Sequence, residues 1–206
     1  VINTLYGSGR DITPPLMRSG KVDCLAFIGS TEAADALKLQ HPKPHRLRCA
    51  LGMAAKNPAI VLPDADLDLS AEECSLGALS FNGQRCTGLK IIFVHQSIAD
   101  EFLAKLCARI SALPIGMPWE DGVKLTPLPE DGKAERMAAY VQDAVRHGAK
   151  VVNEHGGSAN KTVFFPAVVY PVHEPMRLFS EEQFGPVVAV TPFTAISEPV
   201  DYIVNS

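Results

Sequence analysis

The sequence predicts an α/β fold with parallel sheets, because short apolar runs alternate with amphipathic helical segments and Gly-, Ser-, Pro- or Asp-containing turns separate them. A clear case is the apolar run at 24–28, which is followed by a turn at 29–31 and a helical segment at 31–40. The 206 residues are 47% hydrophobic, which is enough to bury a core as one or two domains.

The first part of the chain follows a strand, turn, helix, strand order. Residues 1–5 are predicted to form a strand and residues 6–10 a glycine-containing turn. A short helix is expected over 12–17, interrupted by Pro14 and Pro15. Ser30 or Thr31 is expected to cap the helix over 31–40, because hydroxyl side chains accept hydrogen bonds from the first free N–H groups of a helix.

A second α/β block is predicted to begin near Leu47. Its long helix, over 67–81, can place Leu69, Cys74, Leu76 and Leu79 on one face, with two glutamates facing outward. A Pro- and Gly-rich loop is expected over 114–132. The remaining predicted elements are strands at 57–62, 90–95, 150–153, 164–170 and 187–192, and helices at 98–113 and 134–147.

Composition argues against several classes of protein. The net charge is −4 and basic residues form no run, so no nucleic-acid partner is expected. The sequence contains no apolar stretch of membrane-spanning length and no signal segment at its start, and no membrane partner is expected. The six histidines show no metal-ligand spacing, and we expect no metal site.

The five cysteines are odd in number and irregularly spaced, and they include no Cys-x-x-Cys pair. This pattern argues against a disulfide framework and a structural zinc site, and it favours free thiols in a reducing compartment such as the cytoplasm. The chain opens on Val1 in an apolar stretch and closes at Ser206 without a helix cap. From these ends we expect an internal piece of a longer enzyme.

One segment, FNGQRCT at 81–87, carries a candidate nucleophile. Cys86 follows a helix on a glycine-containing turn beside Arg85, where a thiol can be exposed and its thiolate stabilised by positive charge. Thiolates capture carbonyl carbons well. The alternative is an inert, buried cysteine, which is the usual state of a cysteine in a core.

Four segments in order resemble the aldehyde dehydrogenase superfamily. FIGST at 27–31 is similar to that family's cofactor-pyrophosphate turn, and KNPAIVLPDADL at 56–67 to the strand and turn before its catalytic helix. GQRCT at 83–87 resembles its catalytic-thiol motif, and EEQFGP at 181–186 its Glu-Glu-x-Phe-Gly-Pro signature. The resemblance implies that 1–46 end a Rossmann-like cofactor domain and that 47–206 form a thiol-bearing catalytic domain, truncated at its C-terminus.

The resemblance also implies a role for each matching residue. Cys86 attacks the aldehyde to form a thiohemiacetal, a hydride passes to NAD or NADP, and a thioester remains. Glu182 binds the nicotinamide ribose and Phe184 packs against the nicotinamide. The remaining implied contacts are Gly29 and Ser30 at the pyrophosphate and Arg85 and Thr87 at the substrate.

The branch that matches best is that of the non-phosphorylating, NADP-using glyceraldehyde-3-phosphate dehydrogenases. The matching features are Met176 to Leu178, Leu113 to Gly116 and Arg85 before the thiol. Arg85 would suit a phosphorylated aldehyde, since guanidinium binds phosphate in a bidentate manner. A structural salt bridge is the alternative for this arginine. The family resemblance further implies a homo-oligomer at full length.

The sequence departs from the family at the general base. Relatives have Glu-Leu-Gly-Gly-Lys before the Lys-Asn strand, and counting back from Lys56 places Gly52 at the glutamate position. Residues 50–55 contain no carboxylate, which puts hydrolysis of the thioester in doubt. The alternatives are acyl transfer to coenzyme A, as in the branches that lack this glutamate, and a catalytically impaired paralogue.

Overall fold

The computed structural model describes residues 2–206, which form two compact units. The first unit ends at Ala54 and the second comprises Ala55–Ser206. Helices and parallel strands alternate along both units, so the predicted α/β class is confirmed. Each unit has its own buried core.

The first unit is a small two-stranded parallel sheet with helices. Its elements are α1 (Gly9–Arg18), β1 (Cys24–Ile28), α2 (Thr31–Gln40), a 3-10 helix (Pro44–Arg46) and β2 (Arg48–Gly52). β1 and β2 pair in parallel from Cys24 beside Arg48 to Ile28 beside Gly52. The apolar residues Met17, Leu25 and Leu37 form its buried core.

Two predictions for this part differ from the structure, and one strand was not predicted. Residues 2–5 form no strand, since nothing in the described chain pairs with them, and Val1 lies outside the described residues. Pro14 and Pro15 lie inside α1, which continues through them although each removes one N–H donor. β2 was not predicted, and because it pairs with β1, the first compact unit extends to Ala54. The division into a cofactor domain ending at 46 and a catalytic domain from 47 stays a prediction.

The second unit contains a five-stranded sheet in the order β3-β4-β9-β8-β5, with all strands parallel except the edge strand β5. The strands of the unit are β3 (Pro58–Val61), β4 (Ile91–His95), β5 (Lys150–Val151), β6 (Ala159–Asn160), β7 (Val163–Phe164), β8 (Ala167–Tyr170) and β9 (Val187–Phe193). The helices are α3 (Leu67–Leu79), α4 (Ala99–Ser111), α5 (Lys133–Arg146), α6 (Arg177–Ser180) and α7 (Ser197–Asn205), with 3-10 helices at Ser80–Gly83 and Gln96–Ile98.

The five-stranded sheet is buried on both faces, as a parallel sheet between helices must be. In β4, Ile91 and Phe93 face the core that includes α5, and Ile92 and Val94 face the core formed with α3 and α4. Successive side chains of a strand point to opposite faces, so an uninterrupted apolar run fills both cores. The two segments of the candidate site, at 81–87 and 181–186, precede β4 and β9 of this sheet.

Helix α3 buries a different face from the predicted one. Leu69 and Leu76 are 57% and 61% exposed, whereas small residues face the core beside Cys74 and Leu79. Those small residues are Ala71, Ser75 and Ala78. They allow α3 to pack closely on α4, and the bulkier leucines are left on the opposite side.

The helix starts follow the capping chemistry of the sequence. Ser30 Oγ accepts a hydrogen bond from Ala33 N at 3.2 Å, which confirms the predicted cap of α2. Asp66 caps α3 by accepting from the backbone N–H groups of Asp68 and Leu69. None of the helices in residues 2–206 has the length and apolar character that a membrane crossing requires.

Candidate active site

The turn that carries Cys86 follows α3 through a strained backbone segment. Phe81 and Asn82 have positive φ angles of 54° and 57°, and Gly83 has a φ of 70°. Such angles are rare for residues with a side chain and are found where a site needs an unusual chain direction. A Cβ atom at Gly83 would lie 2.5 Å from the carbonyl oxygen of Gly185, so only glycine allows the turn at 83 to approach the 181–186 segment.

Asn82 holds this strained segment in place. Its Nδ2 donates to Thr126 Oγ1 at 2.9 Å, and its Oδ1 accepts from the backbone N–H of Thr126 at 2.9 Å. Asn82 is 6% exposed, so these hydrogen bonds are shielded from water. Asparagine is among the residues that adopt left-handed backbone angles most readily.

Cys86 lies exposed on a tight turn whose main chain is fixed by Asn57. The Asn57 Nδ2 donates to the carbonyl oxygens of Cys86 at 2.6 Å and of Gly88 at 3.0 Å. A backbone hydrogen bond from Gly88 N to Arg85 O, at 3.1 Å, closes the turn. The Sγ atom makes no hydrogen bond among the described residues, and the exposure of Cys86 excludes the buried alternative.

The other cysteines of the second unit are less reactive by position. Cys74 is buried, and burial raises the pKa of its thiol to about 11. Burial also raises the pKa of the half-buried Cys107 thiol. Reactivity requires the thiolate, so Cys86 is the best-placed nucleophile in this unit.

Arg85 and Thr87 flank the thiol and contact each other. The Arg85 guanidinium donates to Ser80 Oγ at 3.1 Å and to Thr87 Oγ1 at 3.3 Å, and it lies 5.4 Å from the centre of the Phe81 ring. Its partners are all neutral, and no carboxylate of the described chain lies within ion-pair distance. The salt-bridge alternative for Arg85 is therefore absent from the described residues, and the charge of this exposed guanidinium is uncompensated.

The two glutamates of the 181–186 segment have different surroundings. Glu181 is held by Arg177, whose Nε and NH2 groups donate to its carboxylate at 3.1 and 2.9 Å, and by the hydroxyl of Tyr140 at 3.0 Å. The Arg177 hydrogen bond lowers the pKa of Glu181. Lys56 Nζ donates to the Glu181 carbonyl at 2.8 Å and to Gln183 Oε1 at 2.7 Å. These hydrogen bonds give Glu181 a structural role, since they hold the 181–186 segment in place.

Glu182 faces a buried lysine and keeps an acceptor free. Its Oε1 lies 3.5 Å from Lys90 Nζ, which is an ion pair too long for a hydrogen bond. This oxygen is buried and has no hydrogen-bond partner among the described residues. Phe184 follows with a left-handed φ of 43°, and the ammonium groups of Lys90 and Lys133 lie 4.8 and 5.3 Å from its ring centre.

The predicted pyrophosphate turn belongs to the first unit. Gly29 N donates to the Gly52 carbonyl at 3.0 Å, and a Cβ atom at Gly29 would lie 2.6 Å from the Phe27 ring, so a larger residue there would require the ring to move. The Ser30 hydroxyl is engaged in the cap of α2. Glu32, in the first turn of α2, has a lowered pKa because its own backbone N–H hydrogen-bonds its carboxylate.

Gly52, which the sequence comparison predicts at the base position, ends β2 and lies beside Ile28. A Cβ atom placed on Gly52 would lie 3.4 Å from Ile28 Cγ1 and 3.9 Å from the Phe27 carbonyl oxygen. These are ordinary van der Waals distances, and the φ of Gly52 is not in the left-handed region. The backbone therefore accepts a larger side chain here.

Comparison with known proteins decides the family. The aldehyde dehydrogenase family model matches residues 1–206, which is the whole chain. The chain belongs to the aldehyde dehydrogenase family. The family resemblance predicted from four short motifs is confirmed, and the α/β fold described above is the one that its solved members share.

Relatives within the aldehyde dehydrogenase family fall into more than one branch. The chain is 34% identical to aminoaldehyde dehydrogenase 2 of Pisum sativum and 34% identical to the NADP-dependent glyceraldehyde-3-phosphate dehydrogenase of Streptococcus equinus. Each match covers 98% of this chain. The chain spans 40% and 41% of the length of these two relatives.

Solved aldehyde dehydrogenases have the same fold. The NADP-dependent glyceraldehyde-3-phosphate dehydrogenase of Bacillus halodurans C-125, complexed with NADP, superposes with a TM-score of 0.90 at 30% identity, over 98% of this chain and 41% of that one. The succinate-semialdehyde dehydrogenase of Burkholderia pseudomallei gives a TM-score of 0.89 at 30% identity, over 96% of this chain and 41% of that one.

Asn57 and Lys90 of the candidate site were not singled out from the sequence, and neither was Asn82. Asn57 fixes the main chain of the Cys86 turn, and Lys90 contacts Gly83, Glu182 and the Phe184 ring. Lys90 was assigned to a strand, and the structure places it just before β4 with 2% of its surface exposed. The sequence offered one indication of its role, because Lys90 is a charged residue at the start of an apolar run that is otherwise made of core residues.

An open cavity of about 1160 Å³ lies beside the thiol turn. The end of α3 and the loop around 113–129 form it, and Gln84 and Phe184 reach it from the two site segments. Arg109 and Lys124 also line this cavity, whereas Cys86 does not. Among residues 2–206 there is no group of three His, Cys, Asp or Glu side chains arranged to hold a metal ion.

Proposed function

We propose that the protein oxidises an aldehyde with NAD or NADP through a covalent intermediate on Cys86. The observation that carries the proposal is the exposed Cys86 thiol on a turn that Asn57 fixes by its main chain, in a chain of the aldehyde dehydrogenase family. A nucleophile needs an accessible sulfur held by a rigid support, and this turn provides both.

The residues of the thiol turn have separate roles in the proposed reaction. The Cys86 thiolate adds to the carbonyl carbon, forming a C–S bond and moving the π electrons to the oxygen. The backbone N–H of Cys86 makes no hydrogen bond in the described chain, so it can donate to that developing oxyanion. Re-forming the C=O bond then expels a hydride, and Cys86 holds the acyl group as a thioester. The dinucleotide supplies the hydride acceptor when bound.

The 181–186 segment suits the nicotinamide end of such a dinucleotide. Glu182 Oε1 is a buried acceptor without a partner, which matches the needs of a ribose hydroxyl donor. The Phe184 ring offers an apolar face close to the thiol turn. For the pyrophosphate we propose the start of α2, next to Gly29 and Ser30. Gly29 has no side chain to obstruct the ligand, and the N–H groups at the start of a helix favour an anion.

For the substrate we propose an anionic aldehyde, such as a phosphorylated one. The uncompensated charge of Arg85, with Thr87 Oγ1 beside it, supports this choice. The same charge repels cationic aldehydes, which disfavours an aminoaldehyde like the one in the name of the Pisum sativum relative. With phosphorylated and unphosphorylated aldehydes of equal length, Arg85→Gln should raise the KM of the phosphorylated one alone. Arg85→Lys should raise it less.

Release of the acyl group has two candidate routes. Gly52 leaves the usual base position without a carboxylate, which favours transfer to the thiol of coenzyme A over hydrolysis. A third candidate, from a different class, is a catalytically impaired paralogue that keeps the fold.

One assay on the natural protein at its full length separates the three candidates. The protein is incubated with NADP or NAD and an aldehyde, with and without coenzyme A. Turnover that requires coenzyme A selects the acylating reaction, and acid formation without it selects hydrolysis. A folded protein with no turnover under either condition selects the impaired paralogue.

Thiol labelling tests the nucleophile directly. The exposed Cys24 and Cys49 are first replaced by serine, so that Cys86 is the only fully exposed thiol left in this part of the chain. Fluorescent iodoacetamide should then label Cys86, and preincubation with the aldehyde and nucleotide should protect it. If Cys74 or Cys107 reacts while Cys86 stays inert, the assignment fails.

Two further properties are part of the proposal. The five free thiols support a reducing compartment, and we propose the cytoplasm. The exposed Leu69 and Leu76 on α3 support coverage by a second subunit, and we propose a homo-oligomer for the natural protein. Sedimentation of that protein tests the second property, since a monomer at micromolar concentration contradicts it.

A further inference from the structure

Lys90 is one of the most deeply buried large side chains of the protein. Its side chain is 1% exposed, directly before β4 in a run of core residues. Burial of an ammonium group is costly unless its charge is paired and its protons are hydrogen-bonded. The environment lowers the pKa of Lys90 mainly through this burial, and the charge of Glu182 opposes the decrease.

The first partner of Lys90 belongs to the thiol turn. Lys90 Nζ donates to the carbonyl oxygen of Gly83 at 3.0 Å. Gly83 has a left-handed φ and packs against Gly185, so its carbonyl direction is set by the same strained segment that leads to Cys86. This hydrogen bond fixes the end of that segment nearest the 181–186 turn.

The other partners of Lys90 belong to the 181–186 segment. The ammonium lies 3.5 Å from Glu182 Oε1 and 4.8 Å from the centre of the Phe184 ring. A positive charge at these distances attracts both the carboxylate and the face of the aromatic ring. Lys133, the other ammonium near Phe184, pairs with Glu130.

We propose that Lys90 is a positioning residue that couples the thiol turn to the two residues proposed to contact the nicotinamide half of the dinucleotide. Through Gly83 it sets the turn that leads to Cys86. Through Glu182 and Phe184 it sets the carboxylate and the ring, and it leaves Glu182 Oε1 without a hydrogen-bond partner for the ribose hydroxyl. This inference rests on the proposed function, because it assigns Lys90 a task within that site.

The test uses Lys90→Met and Lys90→Arg in the natural protein at its full length, with Lys105→Met as the control. Lys105 also forms an ion pair in the second unit, with Asp68 at 2.9 Å, but it is on the surface. Binding of NAD or NADP and of ADP, which lacks the nicotinamide ribose, is measured by calorimetry without any aldehyde. Iodoacetamide labelling of Cys86 without nucleotide is the second measurement.

Lys90→Met should weaken binding of the whole dinucleotide by about tenfold or more, as expected when one partner of a buried charge pair is removed. Binding of ADP should change by less than about twofold, since ADP lacks the nicotinamide ribose that Glu182 is proposed to bind. The labelling rate of Cys86 should change as the turn relaxes. Lys90→Arg keeps the charge and should restore most of the dinucleotide affinity, and Lys105→Met should resemble the unmodified protein.

Three results overturn the inference or its basis. Equal weakening of ADP and dinucleotide binding means that Lys90 supports the fold in general and positions nothing. Unchanged dinucleotide binding in a folded Lys90→Met protein removes the role altogether. If the unmodified protein binds no dinucleotide, the proposed function fails first, independently of Lys90. Should Lys90→Met not fold, Lys90→Gln, which keeps a donor for Gly83, decides by the same comparison.

Discussion

The thiol turn and the end of β2 differ in the number of side-chain contacts that hold their backbone. The turn around Cys86 is fixed by Asn57, Asn82 and Lys90 through side-chain hydrogen bonds to backbone groups. The end of β2 at Gly52 has only backbone pairing with β1 and offers no side chain at all. In the proposed reaction these two places belong to two half-reactions, capture of the aldehyde and release of the acid.

This difference teaches that the two half-reactions are separable in physical terms. Capture needs an aligned nucleophile and a binding surface, which require many coordinated contacts. Release by water needs one positioned carboxylate, which a single substitution can remove while the backbone pairing of β2 remains. A chain can therefore keep an intact capture site and lose, or redirect, its release step.

The largest expected effect comes from removing the nucleophile. Cys86→Ser should lower aldehyde oxidation by roughly a thousandfold or more, since a member of a catalytic group that acts as a unit cannot be compensated by the others. Cys24→Ser, which removes another exposed thiol, is the matched control and should retain activity. Steady-state rates under identical nucleotide and aldehyde concentrations provide the measurement. Comparable rates for the Cys86→Ser and Cys24→Ser variants would mean that the thiol turn is not the place where the aldehyde is captured.

The contacts behind the thiol turn predict a coupling between Lys90 and Glu182. Either Lys90→Met or Glu182→Gln alone should lower the free energy of unfolding by about 1–3 kcal/mol, because each removes one charge of an ion pair that is largely shielded from water. The double variant should lose less than the sum of the two. Urea denaturation of the four proteins gives this cycle. Strict additivity would mean that the 3.5 Å ion pair contributes nothing.

The role of position 52 in release of the acyl group can be tested by placing a carboxylate there. Gly52→Glu should raise acid formation without coenzyme A by about a hundredfold, the usual contribution of a positioned base. The backbone at Gly52 accepts the side chain, since a Cβ atom there meets Ile28 only at 3.4 Å. Gly52→Gln has the same shape without the charge and should produce no increase. Equal rates for the two variants would show that the missing base is not what limits hydrolysis.

The free energy of unfolding of the second unit should depend on pH through Lys56. Burial lowers the pKa of Lys56 from 10.5 to about 7, so between these values the folded protein holds fewer protons than the unfolded one. The free energy of unfolding should therefore rise as the pH increases from about 7 towards 10.5. Chemical denaturation at pH 7 and pH 9 measures the rise. Lys56→Met should reduce it, and the same slope in both proteins would contradict the assignment.

The smallest effect is expected at Glu181. Its ion pair with Arg177 is 42% and 47% exposed, and such surface pairs contribute about 1 kcal/mol or less. Glu181→Gln should therefore change the free energy of unfolding by less than Glu182→Gln does, and it should leave dinucleotide binding unchanged. Calorimetric binding and urea denaturation of the two variants test both parts. A loss of nucleotide affinity equal to that of Glu182→Gln would mean that both glutamates face the ligand.

Much of the fold could be predicted because local chemistry decides it. The run at 91–94 is apolar without interruption, which indicates a strand buried on both faces, and Ser30 before a helical segment indicates its cap. The face of α3 could not be predicted in this way. Leu69 and Leu76 attract attention by size, but close packing against α4 selects the small residues, and that choice depends on a neighbour distant in sequence.

The site was predictable where a motif lies on one segment. The motif segments provide Cys86, Glu182 and Phe184 as candidates, and their roles stay predictions. The motif does not reveal which of two adjacent glutamates is already engaged. Glu181 is bound by Arg177 and Tyr140, whereas Glu182 faces Lys90, and these partners come from three other segments. Lys90 itself was missed because its burial is decided by the assembled sheet.

The position of Asn57 has a consequence for the freedom of the nucleophile. Its amide binds the carbonyl oxygens on both sides of Thr87 and leaves the sulfur of Cys86 without a partner in the described chain. Asn57 therefore restrains the main chain of the turn, and no hydrogen bond among the described residues restrains the Cys86 side chain. In the proposed reaction we therefore expect the sulfur to turn from the incoming aldehyde to the position of the held acyl group by rotation about χ1, while the loop keeps its conformation.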